Sequence, residues 1–344
     1  MSPVYAFQEG VGRTSRIMLY QGIGEDREEG TELCFKNHNR KMRVPFVVYA
    51  DFECITEPIL EVGPKENKST DKYQQHKPSG FTYLIKCFND RVYYPKLERR
   101  VITSSNDDIA QQFIDSLEND VRDMNKKTPA NKKYPNKTPW DFLDFEKATT
   151  CHICGDLLGD DKVWGHCHFT SEYRGAAHNS YNLNFKVPKF IPIIFHNLSG
   201  YDSHLFITNL SKSPGEIKCI PQTEEKYISF SKTIVVGTFQ DKEGKTREVK
   251  RELHFIGSYK FTLSSLNDLV KNMPRSSFKV MKQYCDELHY TPEQFELLLR
   301  KGVFPYDLFD SFSKLKERKL PPKEAFFSML HNKGLSDDDY AHAQ

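Results

Sequence analysis

A run of apolar residues that ends in two acids constrains the fold of this chain more than any other feature. Residues 43–54 read RVPFVVYADFEC, and the apolar positions do not follow the spacing of an amphipathic helix. A continuous apolar run of this length is typical of a central strand that is buried on both faces. We therefore expect an α/β protein whose central sheet contains this strand, with Asp51 and Glu53 at the end of it.

A second apolar run lies near the middle of the chain. Residues 189–198 (KFIPIIFHNL) predict another buried strand, and the following GYDSHLFITNL predicts a turn that enters a helix. Alternating apolar and polar residues predict two antiparallel hairpins in addition. The hairpin segments are 81–88 with 91–95, around Asn89-Asp90, and 228–239 with 246–258, around Lys242-Glu243-Gly244.

Helices and loops account for the remaining residues. Ser105 or Asn106 can cap a helix that runs to about Met124, and residues 262–344 are expected to be mostly helical. Polar segments at 61–80 and 125–139 predict loops. The second loop is basic, and a solvated loop explains it better than contacts with phosphates; its lysines are Lys126, Lys127, Lys132, Lys133 and Lys137.

Composition limits the class of protein. The 344 residues carry a net charge of +2, so the global charge does not indicate nucleic-acid binding. No apolar run is long enough to span a bilayer, and the start MSPVYAFQEG has no features of a secretory signal, so we expect an intracellular protein without a membrane partner. In a reducing compartment, the eight cysteines are more typical of metal binding than of disulfides.

The acids of the first apolar run predict a metal site. Residues i and i+2 of a strand point to the same face, so the carboxylates of Asp51 and Glu53 converge while Phe52 packs behind them. Oxygen ligands suit Mg²⁺ or Mn²⁺, and two such ions support phosphodiester hydrolysis. The alternative is a strand that simply ends in solvent, where acids are ordinary, and the tripeptide alone favours that alternative.

A second acidic motif strengthens the metal hypothesis. Asn197-Leu198-Ser199-Gly200-Tyr201-Asp202 follows the second apolar run and matches an Asn-x-x-x-(Phe/Tyr)-Asp pattern. Together with RVPFVVYADFEC and with LPPKEAFFSMLHNKGLSDDDYAHAQ at 320–344, it resembles family-B DNA polymerases, most closely the protein-primed type of Maverick/Polinton mobile elements. The resemblance covers roughly residues 41–344, and the three phrases occur in the order that the family has.

The resemblance implies a fold, an activity and site residues. The fold is a ribonuclease-H-like 3′→5′ exonuclease domain, and the activity is proofreading during DNA replication by two-metal hydrolysis. Asp51, Glu53 and Asp202 are the implied catalytic ligands of Mg²⁺ or Mn²⁺, and Asn197 and Tyr201 the implied DNA contacts. The implied partners are a single-stranded DNA 3′ end and a terminal priming protein, with a nuclear location if the host is eukaryotic.

The chain departs from the family in three respects. Tyr306 and Asp310 have the spacing of the third motif, Tyr-x-x-x-Asp, but they lie in a phrase that precedes it in the family, so we expect the true motif beyond Gln344. The polymerase palm signatures are not in the sequence, which favours an amino-terminal part of a polymerase. Gly257 stands where the family usually has an acid.

A segment rich in cysteine and histidine separates the two acidic motifs. Cys151-x-x-Cys154 is half of a tetrahedral zinc site, and four further candidate ligands follow it, namely His166, Cys167, His168 and His178. The alternative is that no metal binds and packing alone holds the loop.

The same segment resembles the ββα zinc fold of His-Asn-His endonucleases. That resemblance implies zinc ligands at Cys151, Cys154 and His178, and Tyr181 at the fourth position, where Cys is usual. Tyr is a poor ligand at neutral pH, so Cys167, His166 or His168 are the alternatives for the fourth position. Asn182 matches the catalytic-metal Asn, but Gly165 and Cys167 replace the two expected Asp residues, which argues against nicking activity.

These observations leave a leading function and two alternatives. The leading function is proofreading within a polymerase of a mobile element or virus; the others are a degenerate zinc-dependent DNA-binding protein without catalysis, and an active endonuclease that uses the insert. The expected segments are a tail (1–40), a first exonuclease part (41–145), a zinc-binding insert (146–188) and a second exonuclease part (189–344).

Overall fold

Seven strands form one mixed sheet in the computed structural model, which describes residues 37–59, 74–102, 104, 107–128, 137–224 and 226–344. With the two strands of a smaller sheet, the described residues contain nine strands. They are β1 (Phe46–Pro58), β2 (Gln74–Cys87), β3 (Lys96–Val101), β4 (Lys162–His166), β5 (Tyr173–His178), β6 (Phe190–Phe195), β7 (Ile217–Pro221), β8 (Tyr227–Gln240) and β9 (Thr246–Gly257). The order in the large sheet is β3-β2-β1-β6-β9-β8-β7, and β4 pairs with β5 in a separate sheet. The prediction of an α/β protein is confirmed.

The described part of the chain also contains nine α-helices. They are α1 (Ile109–Lys127), α2 (Pro139–Lys147), α3 (Asn179–Asn184), α4 (Ser203–Phe206), α5 (Tyr259–Thr262), α6 (Leu266–Asn272), α7 (Lys279–Glu287), α8 (Pro292–Leu298) and α9 (Asp337–Ala343). Within these residues, no helix combines the length and the apolar character that crossing a membrane requires.

Parallel pairing in the middle of the sheet positions the acidic motifs. β1 runs parallel to β6, with Val48 opposite Ile193, and β6 runs parallel to β9, with Phe195 opposite Gly257. The other neighbours in the large sheet pair antiparallel. The prediction that Asp51 and Glu53 end their strand is wrong, because β1 continues to Pro58 in its pairing with β2. β6 ends at Phe195, just after the position where Ile194 lies opposite Tyr49, so the motif that follows β6 meets the acids beside the middle of β1.

The prediction that β1 is buried on both faces is wrong. Its residues alternate: Phe46, Val48, Ala50 and Phe52 are buried, whereas Tyr49, Asp51 and Glu53 are exposed. The buried face packs against α1, where the rings of Phe52 and Phe113 lie 5.0 Å apart. Tyr49, Asp51 and Glu53 lie on the opposite face, so this strand places its two carboxylates where they reach solvent. By contrast, β6 is buried from Ile191 to Phe195, as the sequence predicts.

An aromatic cluster holds the middle of β1 and the end of β6 against α1 and α4. Phe206 lies at the centre: its ring centroid is 5.4 Å from those of Phe52 and Phe113 and 5.3 Å from that of Phe195. Each aromatic pair contributes about 0.5–1.5 kcal/mol beyond the apolar area that it buries. The cluster therefore fixes the position of α4, and with it the turn that carries Asp202.

Several element boundaries differ from those that the sequence predicts. The predicted caps Ser105 and Asn106 lie outside the described residues; Asp108 caps α1 instead, accepting a hydrogen bond of 3.0 Å from the backbone N–H of Gln111. α1 continues to Lys127. The antiparallel pair β8–β9 is confirmed.

The hairpin around Asn89-Asp90 also exists, but its boundaries were wrong. β3 begins at Lys96 and not at Arg91, because residues 91–95 form the turn. Residues 74–80 belong to β2 and not to a loop, since they pair with β1 along its whole second half. The tail at 1–40 and the loops at 61–80 and 125–139 fall partly outside the described residues. The prediction that 262–344 is mostly helical is wrong for the segment as a whole. α6 to α9 lie there, but more of its residues are in loops and short 3-10 turns than in α-helices, above all at 299–336.

Candidate functional site

A cavity of about 1310 Å³ opens where β6 ends beside the middle of β1. Asp51 and Glu53 line it from β1, and His196 and Asn197 line it from the end of β6. The residues across from them come from the carboxyl-terminal region, including Lys301 and Tyr306. We call this space the acid cavity.

The two acids of β1 carry raised pKa values. Their side chains reach solvent through the acid cavity, but its walls surround them. Burial is the main cause of the raised pKa of Asp51, and a backbone hydrogen bond and the charges of His196 and Lys301 oppose it. At Glu53 burial and the charge of Asp51 both raise the pKa, and Lys301 opposes them. Both acids therefore favour a nearby cation.

Asp202 is the third acid of the site. It ends a short π-helical turn, Leu198–Asp202, and is 3% exposed. Burial, followed by the charge of Asp51, raises its pKa to about 7 despite a backbone hydrogen bond from Phe52. Within the described chain its Oδ1 atom has no hydrogen-bond partner. A buried carboxylate oxygen without a partner is costly, so this atom is suited to a ligand that supplies positive charge.

The three acids repel one another without forming a tight cluster. A group of three His, Cys, Asp or Glu side chains can hold a metal ion tightly when all its ligand atoms lie within 4.8 Å of one another. Among the described residues, Cys151, Cys154 and His178 form the one group that does so. The carboxylate oxygens of Asp51, Glu53 and Asp202 are therefore not all within 4.8 Å of one another.

The predicted DNA contacts, Asn197 and Tyr201, differ in position. Asn197 lines the acid cavity. Tyr201 is not one of its lining residues; its hydroxyl lies 2.8 Å from His76 Nδ1, and burial and neighbouring Cys54 raise its pKa. The structure thus brings Asn197 together with the acids and directs Tyr201 towards the β1–β2 pair.

Lys301 and Tyr306 are cavity residues that the sequence did not single out as partners of the acids. Thr56 holds this segment against the end of β1: its Oγ1 donates to the Tyr306 carbonyl at 3.0 Å, and its N–H donates to the Phe309 carbonyl at 3.1 Å. Burial, Glu53 and Asp51 raise the pKa of Tyr306. Asp310 does not line the cavity and instead pairs with Lys314 at 2.9 Å. The formal Tyr-x-x-x-Asp spacing therefore places the tyrosine near the acids but not the aspartate.

The cysteine and histidine segment forms a second candidate site. Cys151, Cys154 and His178 can hold a metal ion such as zinc, because their ligand atoms lie within 4.8 Å of one another. The turn 151–155 closes through a hydrogen bond from the N–H of Gly155 to the Cys151 carbonyl at 2.9 Å, and Gly155 has φ of +88°, which a glycine adopts without strain. His178 Nδ1 lies 2.8 Å from Asp161 Oδ1, which leaves Nε2 for the metal.

Cys167 is not part of this group, which corrects the prediction that it ligates zinc. It is buried in the main core beside Phe169, and its sulfur accepts a hydrogen bond from the Thr170 N–H at 3.4 Å. Its position after the end of β4 separates it from the turn that holds Cys151. His166 and His168 are outside the group as well. Tyr181 packs against the small cluster around Cys151, with its ring 5.9 Å from that of His178.

Gly165, which replaces an Asp of the nuclease pattern, is required by packing. A Cβ at this position would lie 2.7 Å from His152 Nε2 and 2.9 Å from the Gly175 carbonyl. Asn182 lies nearby, with its amide 3.5 Å from the Trp164 carbonyl. The hairpin therefore has no room for the missing carboxylate.

Comparisons with protein-family models, with curated proteins and with solved structures gave no match to this chain.

Proposed function

We propose that this chain is the proofreading part of a family-B DNA polymerase, and that the acid cavity binds the 3′ end of single-stranded DNA. The observation that carries the proposal is the meeting of Asp51, Glu53 and Asp202, from the middle of β1 and from the turn after β6. A mixed sheet with acids on one strand and after its parallel neighbour is consistent with a ribonuclease-H-like fold. Asn197 lines the same cavity and can donate to the terminal nucleotide.

The residues present fit Mg²⁺ or Mn²⁺. Three acids with raised pKa values and an unpartnered buried oxygen on Asp202 form an oxygen-rich site whose negative charge Lys301 offsets only in part. Such ions, when bound, activate a water molecule and stabilise the leaving oxygen. In this proposal Asp51 and Asp202 hold the ions, Glu53 orients the water, and Lys301 offsets negative charge at the mouth of the site. The group formed by Cys151, Cys154 and His178 would hold structural zinc.

We expect excision by this chain to be very slow. Among the described residues, the acids that line the cavity are Asp51 and Glu53, with Asp202 buried behind them, and Asp310 is directed elsewhere. Loss of one catalytic element typically costs several orders of magnitude in rate. Binding is therefore a better test of the site than turnover.

The test compares oligo(dT) that has a free 3′-hydroxyl with oligo(dT) whose 3′ end is blocked. We expect weak, salt-sensitive binding that Mn²⁺ strengthens for the free 3′ end, and we expect Asp51→Asn and Asp202→Asn to lose the metal response. Asp310→Asn is the matched control and should behave like the wild type. Equal binding of both oligonucleotides, or an unchanged metal response in the Asp51 variant, would contradict the proposal. Rapid metal-dependent digestion would show that another acid completes the site.

A DNA-binding zinc protein without catalysis is the second candidate function. The packing of His152 against Gly165 favours it, because the hairpin then serves as a scaffold and not as a nuclease. In that case DNA binding would depend on zinc and not on Asp51. Chelation of zinc would then abolish binding, whereas Asp51→Asn would leave it unchanged.

A further inference from the structure

A second cavity, of about 210 Å³, lies where the segment before β1 meets the β4–β5 hairpin and the start of the β2–β3 connection. It shares no lining residue with the acid cavity. Lys41, Arg43 and Arg174 line it together with the rings of Phe88, Phe169 and Phe185. We call it the basic cavity.

The two arginines of the basic cavity form no ion pair among the described residues. No acid is among the described residues that line the cavity. Across the described ranges, neither Arg43 nor Arg174 has a carboxylate within ion-pair distance. The Arg174 guanidinium instead lies 3.9 Å from the Met42 sulfur and 5.7 Å from the Phe185 ring centroid. Two guanidinium groups that line one cavity repel each other, and an anion between them would remove that cost.

The apolar wall of the basic cavity is fixed by the core. Phe169 is buried and lies edge-on to two rings, at 6.2 Å from Phe46 of β1 and 6.1 Å from Phe88. Phe185 follows α3 and is half-buried. Arginine side chains combined with aromatic rings are the usual lining of surfaces that hold a nucleic-acid strand, because the rings contact sugar or base while the guanidinium groups bind phosphate.

We propose that the basic cavity binds a backbone phosphate of a single-stranded nucleic acid, with Arg43 and Arg174 as the phosphate donors and the half-buried rings of Phe88 and Phe185 against the adjoining nucleoside. The choice of a nucleic acid over a free anion rests in part on the proposed function. The positive charge and the aromatic lining of the basic cavity are observed independently of that function. The site would hold the strand at the junction of the hairpin and the sheet, away from the acid cavity.

The experiment measures binding of labelled oligo(dT) by the zinc-loaded protein without added Mg²⁺ or Mn²⁺, for the wild type and for Arg43→Gln, Arg174→Gln and Arg247→Gln. Arg247 lies on the β8–β9 hairpin and pairs with Asp241, so its variant removes the same charge elsewhere. We expect Arg174→Gln and Arg43→Gln to weaken binding about fivefold to tenfold each and to lower the salt slope by about one. Arg247→Gln should change the affinity less than twofold, as expected of a charge outside the site.

Three outcomes would overturn the inference. The first is equal affinity of Arg43→Gln, Arg174→Gln and the Arg247→Gln control. The second is the absence of oligo(dT) binding by the wild type. The third is binding of inorganic pyrophosphate that Arg174→Gln abolishes while oligo(dT) binding is unchanged, which would assign the cavity to a free anion. A loss of metal-stimulated binding in Asp51→Asn concerns the acid cavity alone, so the two proposals can fail separately.

Discussion

The side chain of Asn197 lies directly over the Cα atom of Gly200. A Cβ at position 200 would come within 2.5 Å of Asn197 Oδ1 and 2.9 Å of its Nδ2. The glycine of this turn therefore keeps the amide of Asn197 in the acid cavity. Contacts this short cannot be accommodated unless the amide moves.

Gly200→Ala should displace Asn197 and weaken single-stranded DNA binding, with a loss of stability of about 1–3 kcal/mol from the forced contact. Urea unfolding and oligo(dT) binding measure the two effects. Gly334→Ala is the control, because a Cβ there meets no atom within 4 Å. If both variants were equally stable and bound DNA equally well, Gly200 would have no positioning role.

The acids explain how far the sequence predicts this site. Asp51 and Glu53 share a face because of strand alternation, and Asp202 joins them because its turn follows β6, which runs parallel to β1 and ends beside the middle of it. Both rules act on local patterns. Lys301 and Tyr306 follow from contacts between residues 250 positions apart, such as Thr56 with Tyr306, and no local pattern encodes such a pairing.

The zinc segment shows a similar limit. Spacing identified Cys151, Cys154 and His178, but it left the fourth position open among Tyr181, Cys167, His166 and His168. The structure buries Cys167 in the core of the large sheet, where its apolar character decides its place. Likewise, the burial of β1 on one face depends on the packing of α1, which the apolar run of β1 does not reveal.

The raised pKa of Asp202 predicts a specific dependence of stability on pH in the absence of divalent metal. The folded state has a pKa of about 7 and the ordinary value is 3.8, so the folded state binds the proton more tightly. The contribution of Asp202 to the free energy of unfolding is fully present below about pH 4. This contribution falls by on the order of 4 kcal/mol at most as the pH rises to about 7. Asp51 and Glu53 shift in the same direction and add to the trend.

Thermal unfolding of the zinc-loaded protein without added Mg²⁺ or Mn²⁺, at pH 5 and pH 8, tests this dependence. Asp202→Asn should melt higher than the wild type at pH 8 and close to it at pH 5, and added Mn²⁺ should stabilise the wild type but not the variant. Asp310→Asn is the control outside the cavity. Equal stabilisation of the wild type and Asp202→Asn by Mn²⁺ would remove Asp202 from the metal site.

The metal group predicts about one zinc ion per purified chain, as a single structural site requires. Chelation should lower the melting temperature of the wild type, and Cys151→Ser should abolish zinc binding and the response to chelation. Cys219→Ser is the matched control, since Cys219 is exposed and outside the group. A metal-free wild type that melts at the same temperature with and without zinc would contradict the assignment.

Tyr181→Cys should tighten zinc binding, because Tyr181 packs beside the group and a thiolate is the better ligand. Competition with a chromophoric chelator measures the affinity. Cys167→Ser provides the comparison: it should leave zinc affinity unchanged, since Cys167 lies outside the group. Weaker binding by Cys167→Ser at unchanged folding would restore Cys167 as a ligand.

A buried ion pair ties α1 to β8. Lys232 is fully buried, and its ammonium lies 2.9 Å from Glu118 Oε1 and 2.7 Å from the Leu210 carbonyl. Burial opposes ionisation of Glu118, but hydrogen bonds from Lys232 and Ser213 outweigh it and lower the pKa of the carboxyl. The stability that this pair supplies is therefore present above the ordinary pKa of 4.5 and is lost as the pH falls through the lower folded value.

Glu118→Gln should destabilise the protein by about 3–5 kcal/mol at neutral pH, because it leaves the Lys232 charge buried without an acid. Adding Lys232→Met should recover much of that loss, since the unpaired charge is then removed. Asp123→Asn is the control: Asp123 pairs with Lys127 in the same helix, but both side chains are exposed, so the cost should stay below about 0.5 kcal/mol. Urea unfolding of the four proteins gives these differences. A cost for Glu118→Gln as small as that for Asp123→Asn would show that water reaches Lys232.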